Sequence, residues 1–143
     1  MNEMNQTQQI QITPYITTKR FKGQAITSEF NIPYGTEVQC VIGYIVHDNL
    51  PICADHSQNA YDHFARNDDG KGLERGKLIQ EIKKVLSKRD EKYQDRWDKV
   101  WDDEVCLKYK RPEYSDYWLW AHNFYNAEIE DLRYIAGLLS IKI

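Results

Sequence analysis

Four side chains in the first half of the sequence could bind a metal ion: Cys40, Cys53, His56 and His63. Thiolate and imidazole groups are the usual ligands of a tetrahedral zinc site, and a hairpin could bring these four together. The sequence contains no CxxC or HxxxH pair to anchor such a site. We therefore predict no bound metal, and interpret the cysteines as buried thiols and the histidines as surface imidazoles.

The same region offers two forms of catalysis. Cys53 with His56 or His63 is the candidate pair for a cysteine nucleophile, but nothing in the surrounding sequence marks Cys53 as an activated thiolate. His56 and His63 with Asp55 or Asp62 could act as acid and base. The sequence contains no complete catalytic or cofactor motif, so we predict no catalytic residue and no cofactor.

The stretch HFARNDDGKGLERGKL, residues 63–78, combines glycine with charge and could hold a phosphate or a cation. A P-loop requires the pattern GxxxxGK[ST], but Gly72 lies too close to Gly76, and Leu78 replaces the hydroxyl residue. An EF-hand requires regularly spaced acidic or amide ligands, which this stretch lacks. Neither template explains the glycines.

Two interpretations of this stretch remain. The amides at the start of the following helix could bind an anion, assisted by Lys71, Arg75 and Lys77. Alternatively the stretch is a plain connection in which Gly70 adopts a positive φ, after a short helix, SQNAYDHFAR, that begins at the N-cap Ser57. Glycine and adjacent acids are what any tight turn would use, so we favour the connection.

The segment YSDYWLWAHNFY, residues 114–125, is the strongest compositional signal in the chain. One helical stripe contains Tyr114, Tyr117, Trp118, Ala121 and Tyr125. Trp120 and Phe124 project about a third of a turn away from that stripe. We predict that the stripe faces the core and that Trp120 and Phe124 contact a protein partner or a second copy of the chain. The alternative is that neighbouring helices, or the β-rich unit, cover both faces within one chain.

Length, charge and cysteine content limit the classes of protein to which the chain can belong. With 143 residues, 41% of them hydrophobic, it can bury a core without metal or disulfide. A net charge of −3 gives no overall attraction for nucleic acid or an anionic membrane. The sequence shows neither a signal peptide nor an apolar run long enough to span a membrane, and its cysteine count is odd. We expect a cytoplasmic protein with free thiols and no membrane contact.

Composition divides the chain into three parts. Residues 1–14 are rich in Asn, Gln and Thr and are predicted to form a flexible tail. Residues 15–54 are predicted to be a β-rich unit, in which QAITSEF, residues 24–30, alternates as a half-buried strand. Residues 55–143 are predicted to be helical, and together with the β-rich unit to form a single α+β domain, 15–143.

The predicted architecture is a small β-barrel or meander followed by a short helix and about three longer C-terminal helices. Three apolar stripes at helical spacing define the longer helices. The stripes are Leu78, Ile79, Ile82, Val85 and Leu86; Tyr93, Trp97, Val100, Trp101 and Val105; and Ile129, Leu132, Ile135, Ala136 and Leu139. Pro112 is predicted to stop the second of these helices, and Asn126 to cap the last.

Three stretches carry a resemblance to known proteins: TKRFKGQAITSEFNIPYGTEV, PICADHSQNAYDHFARNDDGKGLERGKL and YWLWAHNFYNAEIEDLRYIAGLL. They resemble small, uncharacterised accessory proteins of phages and prophages of Gram-positive bacteria. The resemblance covers most of the chain after about residue 16. It implies a cytoplasmic protein that acts on a host or phage macromolecule, and it implies no activity and no site residue.

Three functions follow as hypotheses. We favour a non-enzymatic interaction protein, because an aromatic surplus is present without any complete catalytic motif. The alternative is a nucleic-acid-binding protein with a local basic patch. That patch would combine Lys19, Arg20 and Lys22 with Lys71, Arg75 and Lys77. The second alternative is the small His/Asp-dependent hydrolase or nuclease described above.

Overall fold

The computed structural model describes residues 10–25, 28–109 and 122–142. The chain divides into two compact units, an N-terminal unit, Met1–Leu73, and a C-terminal unit, Glu74–Ile143. The described strands are β1 Ile12–Thr17, β2 Phe21–Ala25, β3 Ser28–Ile32, β4 Glu37–Val41, β5 Tyr44–His47, β6 Leu50–Ala54 and β7 Phe64–Arg66. The described helices are α1 Gln58–His63, α2 Gly72–Ser87, α3 Tyr93–Trp101, α4 Glu104–Leu107, α5 His122–Tyr125 and α6 Ile129–Leu138.

The N-terminal unit contains a five-stranded antiparallel sheet in the order β6-β5-β4-β1-β7 and a two-stranded sheet of β2 and β3. The strands β4, β5 and β6 pair in chain order as a meander, whereas β1 lies between β4 and β7. Among the described strands the larger sheet remains open, with β6 and β7 at its edges. The α+β class is confirmed, and the predicted barrel is not found.

The strand register separates the side chains of the large sheet into two faces. Residues directly opposite one another in antiparallel strands share a face. One face therefore carries Cys40 and Ile45, which are paired partners, and it contributes to the core of this unit. The core cluster consists of Tyr15, Phe21, Ile32, Val38, Cys40, Ile45, Ala60 and Phe64. The other face carries Ile12 and Tyr44, each paired with Val41.

Two predicted boundaries of the β-rich unit are wrong. Strand β1 begins at Ile12, and Pro14 pairs with Gln39, so the predicted tail extends too far into the chain. The unit also continues past residue 54, because β7 follows α1 and pairs with β1 at Thr17↔Phe64. The predicted short helix consequently ends at His63, although its N-cap Ser57 is confirmed.

The predicted strand over residues 24–30 is a hairpin instead. Strands β2 and β3 pair antiparallel from Phe21↔Ile32 to Ala25↔Ser28. Residues 26–27, which connect the two strands, lie outside the described residues. Alternation of apolar residues is equally compatible with one strand and with two short strands on either side of a turn.

The C-terminal unit has its own helical core. The large buried apolar residues on α2 are Leu78, Ile79, Ile82 and Leu86, and the buried apolar residues on α6 are Ile129, Leu132, Ile135 and Ala136. These stripes confirm two of the three predicted helices. The remaining stripe, from Tyr93 to Val105, is interrupted, because α3 ends at Trp101 and a new helix, α4, is capped by Asp103.

Two further predictions concern the ends of these helices. The last helix begins after Glu128, so Asn126 is not its cap. Pro112 lies outside the described residues. None of the described helices has the length and apolar content that a membrane span requires.

Candidate functional site

The turn between β4 and β5 holds an isoleucine in a backbone conformation that isoleucine disfavours. Ile42 has a φ of 49° and Gly43 a φ of 81°. Positive φ at both central residues is typical of a two-residue type I′ hairpin, which prefers Asn or Asp followed by Gly. A β-branched residue in this region is strained. The Ile42 side chain is nevertheless 73% exposed, so burial offers little compensation.

The next turn of the same sheet provides an internal comparison. Asp48 and Asn49, between β5 and β6, have φ values of 52° and 63°. Both residue types tolerate this conformation because their short polar side chains can hydrogen-bond locally. The chain thus places favoured residues in one hairpin turn and a disfavoured, exposed isoleucine in the other.

Ile42 belongs to a group of exposed apolar residues, which we call the apolar patch: Ile10, Ile12, Ile42 and Tyr44. Each of the four is more than half exposed. Ile12 and Tyr44 flank Val41 on the outer face of the sheet, and Ile42 follows Val41 directly in the chain. Ile10 and Ile42 line the same cleft. The four residues therefore lie at one end of the sheet.

The cleft next to the apolar patch has a volume of about 400 Å³. It is lined by Ile10, Gln11, Thr13, Cys40, Ile42, Gly43 and Asp55. Asp55 is held in place by its backbone, whose N–H donates to the Gly43 carbonyl at 2.8 Å. Its carboxylate accepts from the Cys40 thiol at 3.5 Å and lies 3.2 Å from Nδ1 of His56. The cleft thus combines two apolar side chains at its rim with a carboxylate.

Both cysteines near the cleft are poor nucleophiles. Burial raises the pKa of the Cys40 thiol to about 11, and the charge of Asp55 contributes to the increase. Burial likewise raises the pKa of Cys53, although a hydrogen bond from Ser57 opposes the increase. A thiol must ionise to attack an electrophile, so neither cysteine has the activated character that catalysis needs.

The predicted histidine and aspartate candidates do not converge on one cleft. His56 contacts Asp55. The Nδ1–H of His63 donates to the Asn59 carbonyl at 2.8 Å, and its ring stacks on Phe21 with ring centroids 4.3 Å apart. Asp62 accepts a hydrogen bond from Gln58. His63 thus has a structural contact where an exposed imidazole was predicted.

The candidate metal ligands likewise contact groups other than one another. Cys40 donates to Asp55, and His63 packs on the aromatic core. Within the parts of the chain that the structure describes, no group of three or more His, Cys, Asp or Glu side chains is arranged to hold a metal ion.

The amides of the glycine-rich stretch are occupied by side chains and backbone of the same loop. The Gly72 N–H donates to Oδ1 of Asn67 at 2.7 Å, and the Lys71 N–H donates to Oδ1 of Asp69 at 2.9 Å. The Gly70 N–H donates to the Asn67 carbonyl, and Gly70 has the expected positive φ, 74°. These contacts support a connecting loop, since three of the amides that an anion could use already have acceptors.

One of the three side chains predicted to contact an anion is not at the surface. Arg75 is completely buried, and its Nε donates to the Ala127 carbonyl at 2.9 Å within the C-terminal unit. It was predicted to be accessible because helical periodicity does not distinguish a buried arginine from an exposed one. Lys71 and Lys77 are exposed.

The predicted aromatic interface is wrong for Phe124. This ring has no exposed surface, and Tyr125 beside it is also buried. The two rings pack edge to face with centroids 6.2 Å apart, and the Tyr125 hydroxyl accepts from Lys83. The described part of α5 is His122–Tyr125, and the other residues of the predicted stripe, Tyr114, Tyr117, Trp118 and Ala121, lie outside the described residues. Trp120 lies outside the described residues.

Comparisons with protein families, with curated proteins and with solved structures find no match for this chain. The apolar patch was not predicted from the sequence either. Its signal is the pair Ile42-Gly43 between two strands, where a turn normally has Asn or Asp before glycine. The turn lies within VIGYIV, residues 41–46, where the neighbours of Gly43 are apolar, so the sequence does not mark Ile42 as exposed.

Proposed function

We propose that this protein is a non-enzymatic interaction protein that binds a protein partner through the apolar patch. The observation that carries the proposal is Ile42, an exposed isoleucine in a strained turn position. A residue that is unfavourable for the fold and unfavourable in water is best explained by a contact outside the chain.

The other residues of the patch enlarge this contact. A single exposed apolar side chain is normal and needs no explanation, but a contiguous group is typical of an interface. Burial of each large side chain of the patch by a partner would contribute roughly 1.5–3 kcal/mol before the cost of association. Tyr44 adds an aromatic ring with a polar end, a residue type enriched at binding hot spots.

The alternative functions have less support in the geometry. A cysteine enzyme would need an ionised thiol, whereas burial and Asp55 keep Cys40 neutral. A nucleic-acid site that uses the glycine-rich stretch would need Arg75 at the surface, where it does not lie. The resemblance to phage and prophage accessory proteins extends our proposal to the class of partner, which would be a host or phage protein.

The test is quantitative capture of partners from cells that contain the native protein, with three baits. These are the wild type, Ile42→Asn and the matched control Tyr34→Thr, which removes an equally exposed apolar side chain from the turn before β4. We expect proteins that bind the wild type and Tyr34→Thr, and that Ile42→Asn captures at about one tenth of that level or less. Because asparagine suits the turn better than isoleucine, misfolding would not explain such a loss.

If every protein captured by the wild type is captured equally by Ile42→Asn, the proposal is wrong. Self-association is measured on the same variants by light scattering. A mass that falls from dimer to monomer in Ile42→Asn alone would identify the partner as a second copy of the chain.

A further inference from the structure

The cleft beside the apolar patch combines a carboxylate with an apolar rim. We infer that it receives a lysine or arginine side chain of the protein partner, with Asp55 as the counter-ion and with Ile10 and Ile42 against the alkyl stem. This inference rests on the proposed function, because it assumes that the partner covers the apolar patch.

The carboxylate of Asp55 retains capacity for a further hydrogen bond. Within the described part of the chain, one of its oxygens accepts from the Cys40 thiol and the other lies 3.2 Å from Nδ1 of His56. Two carboxylate oxygens together accept about four hydrogen bonds. The Asp55 side chain is 21% exposed, so it is reachable from the cleft but partly shielded from water.

The surroundings of Asp55 are short of positive charge. Among the described residues, His56 alone is within ion-pair distance of this carboxylate, and its side chain is 74% exposed. On the other side Asp55 faces groups that are uncharged at neutral pH. Burial raises the pKa of Tyr15, of Cys40 and of Tyr61, and the charge of Asp55 raises each of them further. A cation is therefore the ligand that this field favours.

The rim of the cleft selects among cations. Ile10 and Ile42 offer apolar surface on the same cleft that contains the carboxylate. A basic side chain matches both features, because its methylene stem packs on apolar surface while its charged end reaches an acceptor. The volume of about 400 Å³ is sufficient for such a side chain.

The experiment uses the full chain, labelled with ¹⁵N, and four probes. Three are capped tripeptides, acetyl-Leu-X-Leu-amide with X as lysine, arginine or norleucine, and the fourth is n-butylammonium. Binding is followed through the amide signals of Thr13, Gly43 and Asp55. The lysine or arginine peptide should shift these signals saturably. The norleucine peptide, which keeps the four-carbon stem of lysine but lacks its ammonium group, should bind about tenfold more weakly or not at all. Asp55→Asn should reduce the affinity for the basic peptides about tenfold.

Equal affinity for the norleucine and lysine peptides would overturn the inference, and this comparison needs no variant, so it holds even if Asp55→Asn fails to fold. Butylammonium that binds as tightly as the peptides would assign the cleft to a free amine and would also overturn it. The two proposals fail differently. If Ile42→Asn loses the captured partner but Asp55→Asn does not, the inference alone is wrong; if neither variant loses it, the proposed function is wrong too.

Discussion

At the scale of single residues, two hairpin turns in one sheet distinguish a residue that suits the turn conformation from a residue that the conformation does not explain. Ile42 and Asn49 both have positive φ, at 49° and 63°. Both positions lie in the left-handed region that isoleucine disfavours, so the presence of isoleucine at one of them reflects something other than the turn. At Asn49 the residue suits the backbone, and at Ile42 it does not.

This comparison predicts opposite effects of opposite substitutions. Ile42→Asn should raise the free energy of unfolding by about 1 kcal/mol, and Asn49→Ile should lower it by a similar amount, because only asparagine tolerates the left-handed region. Chemical denaturation of both variants measures the two changes. A loss of stability in Ile42→Asn would mean that this side chain packs within its own chain, and the argument for an external contact would fail.

Gly70 is the second position where conformation decides the residue. Its φ is 74°, and apart from Gly70 itself and its two chain neighbours, no described residue has a heavy atom within 4 Å of the place where a Cβ would be. Gly70→Ala should therefore destabilise the protein by about 1 kcal/mol through strain alone. The matched control is Gly137→Ala in helix α6, which also has open space but no positive φ, and which should stabilise by about 0.5–1 kcal/mol. If thermal unfolding shows the same sign of change for both, backbone strain at Gly70 is not the cause.

The Cys40 thiol tests the electrostatics of the cleft. Its pKa is about 11 because of burial first and the charge of Asp55 second. At pH 7.5 we expect Cys40 to react with iodoacetamide far more slowly than an unfolded cysteine, and to react faster as the pH approaches the thiol pKa. Asp55→Asn should accelerate the reaction at Cys40 relative to Cys106, which is also buried. Peptide-resolved mass spectrometry follows each cysteine, and an unchanged ratio would show that Asp55 has no influence on the thiol.

At the scale of elements, the sequence predicted a helix end correctly where residues close in the chain determine it. Ser57 caps α1 because its side chain accepts the Ala60 N–H three residues away, and such a cap is visible in sequence. The end of the same helix was mispredicted because Phe64–Arg66 pairs with β1, a contact between distant parts of the chain. The stripe of α6 was predicted correctly, but its cap was placed two residues early, at Asn126 in place of Glu128.

The sequence predicted the candidate site less well than it predicted the fold. Asp55 and Cys40 were both noted as reactive residues, but only the meander of β4, β5 and β6 places them in one cleft. Phe124 was assigned to an interface because periodicity identifies stripes without identifying which neighbour covers them. Exposure of Ile42 depends on the turn it occupies, and the sequence around Gly43 does not indicate which side chains of that turn face water.

Helix α4 depends on its cap, which gives the next prediction. Oδ1 of Asp103 accepts from the amides of Val105 and Cys106 at 2.9 and 3.3 Å, and Oδ2 accepts from the Tyr134 hydroxyl at 2.7 Å. Asp103→Ala should destabilise the protein by about 1–2 kcal/mol. The neighbouring Asp102→Ala is the control, since Asp102 is exposed and caps no helix N-terminus, and it should change stability by less than about 0.5 kcal/mol. Equal losses in the two variants would refute the capping role.

The same carboxylate predicts a pH dependence. Burial opposes ionisation of Asp103, but the hydrogen bonds from Tyr134 and the two amides outweigh it, so its pKa lies below the usual value. A depressed pKa stabilises the folded state above the unfolded pKa, about 3.9, and this contribution is lost as the pH falls through the folded pKa. Urea unfolding at pH 7 and pH 3 should therefore show a smaller loss of stability in Asp103→Ala than in the wild type. An identical loss would show that this group does not contribute.

At the scale of the whole molecule, each of the two compact units has its own apolar core. The N-terminal unit buries residues from both sheets, including Ile45. The C-terminal unit buries residues from its helices, including Ile135. The change in composition along the sequence indicated this division, but the predicted boundary after residue 54 was too early. The observed boundary follows Leu73, because α1 and β7 belong to the first unit.

Two matched substitutions test whether the units are also units of stability. Ile45→Val and Ile135→Val each remove one methylene from a side chain with no exposed surface, and each should cost about 0.5–1.5 kcal/mol. Since the two residues belong to different units, Ile45→Val should accelerate hydrogen exchange mainly in the core strands β1, β4 and β5, and Ile135→Val mainly in α2 and α6. The exchange of individual amides, measured by NMR at constant pH, distinguishes the outcomes. If either substitution accelerates exchange equally in both units, the chain unfolds as one cooperative body, and a partner bound at the apolar patch would then stabilise the helices as much as the sheet.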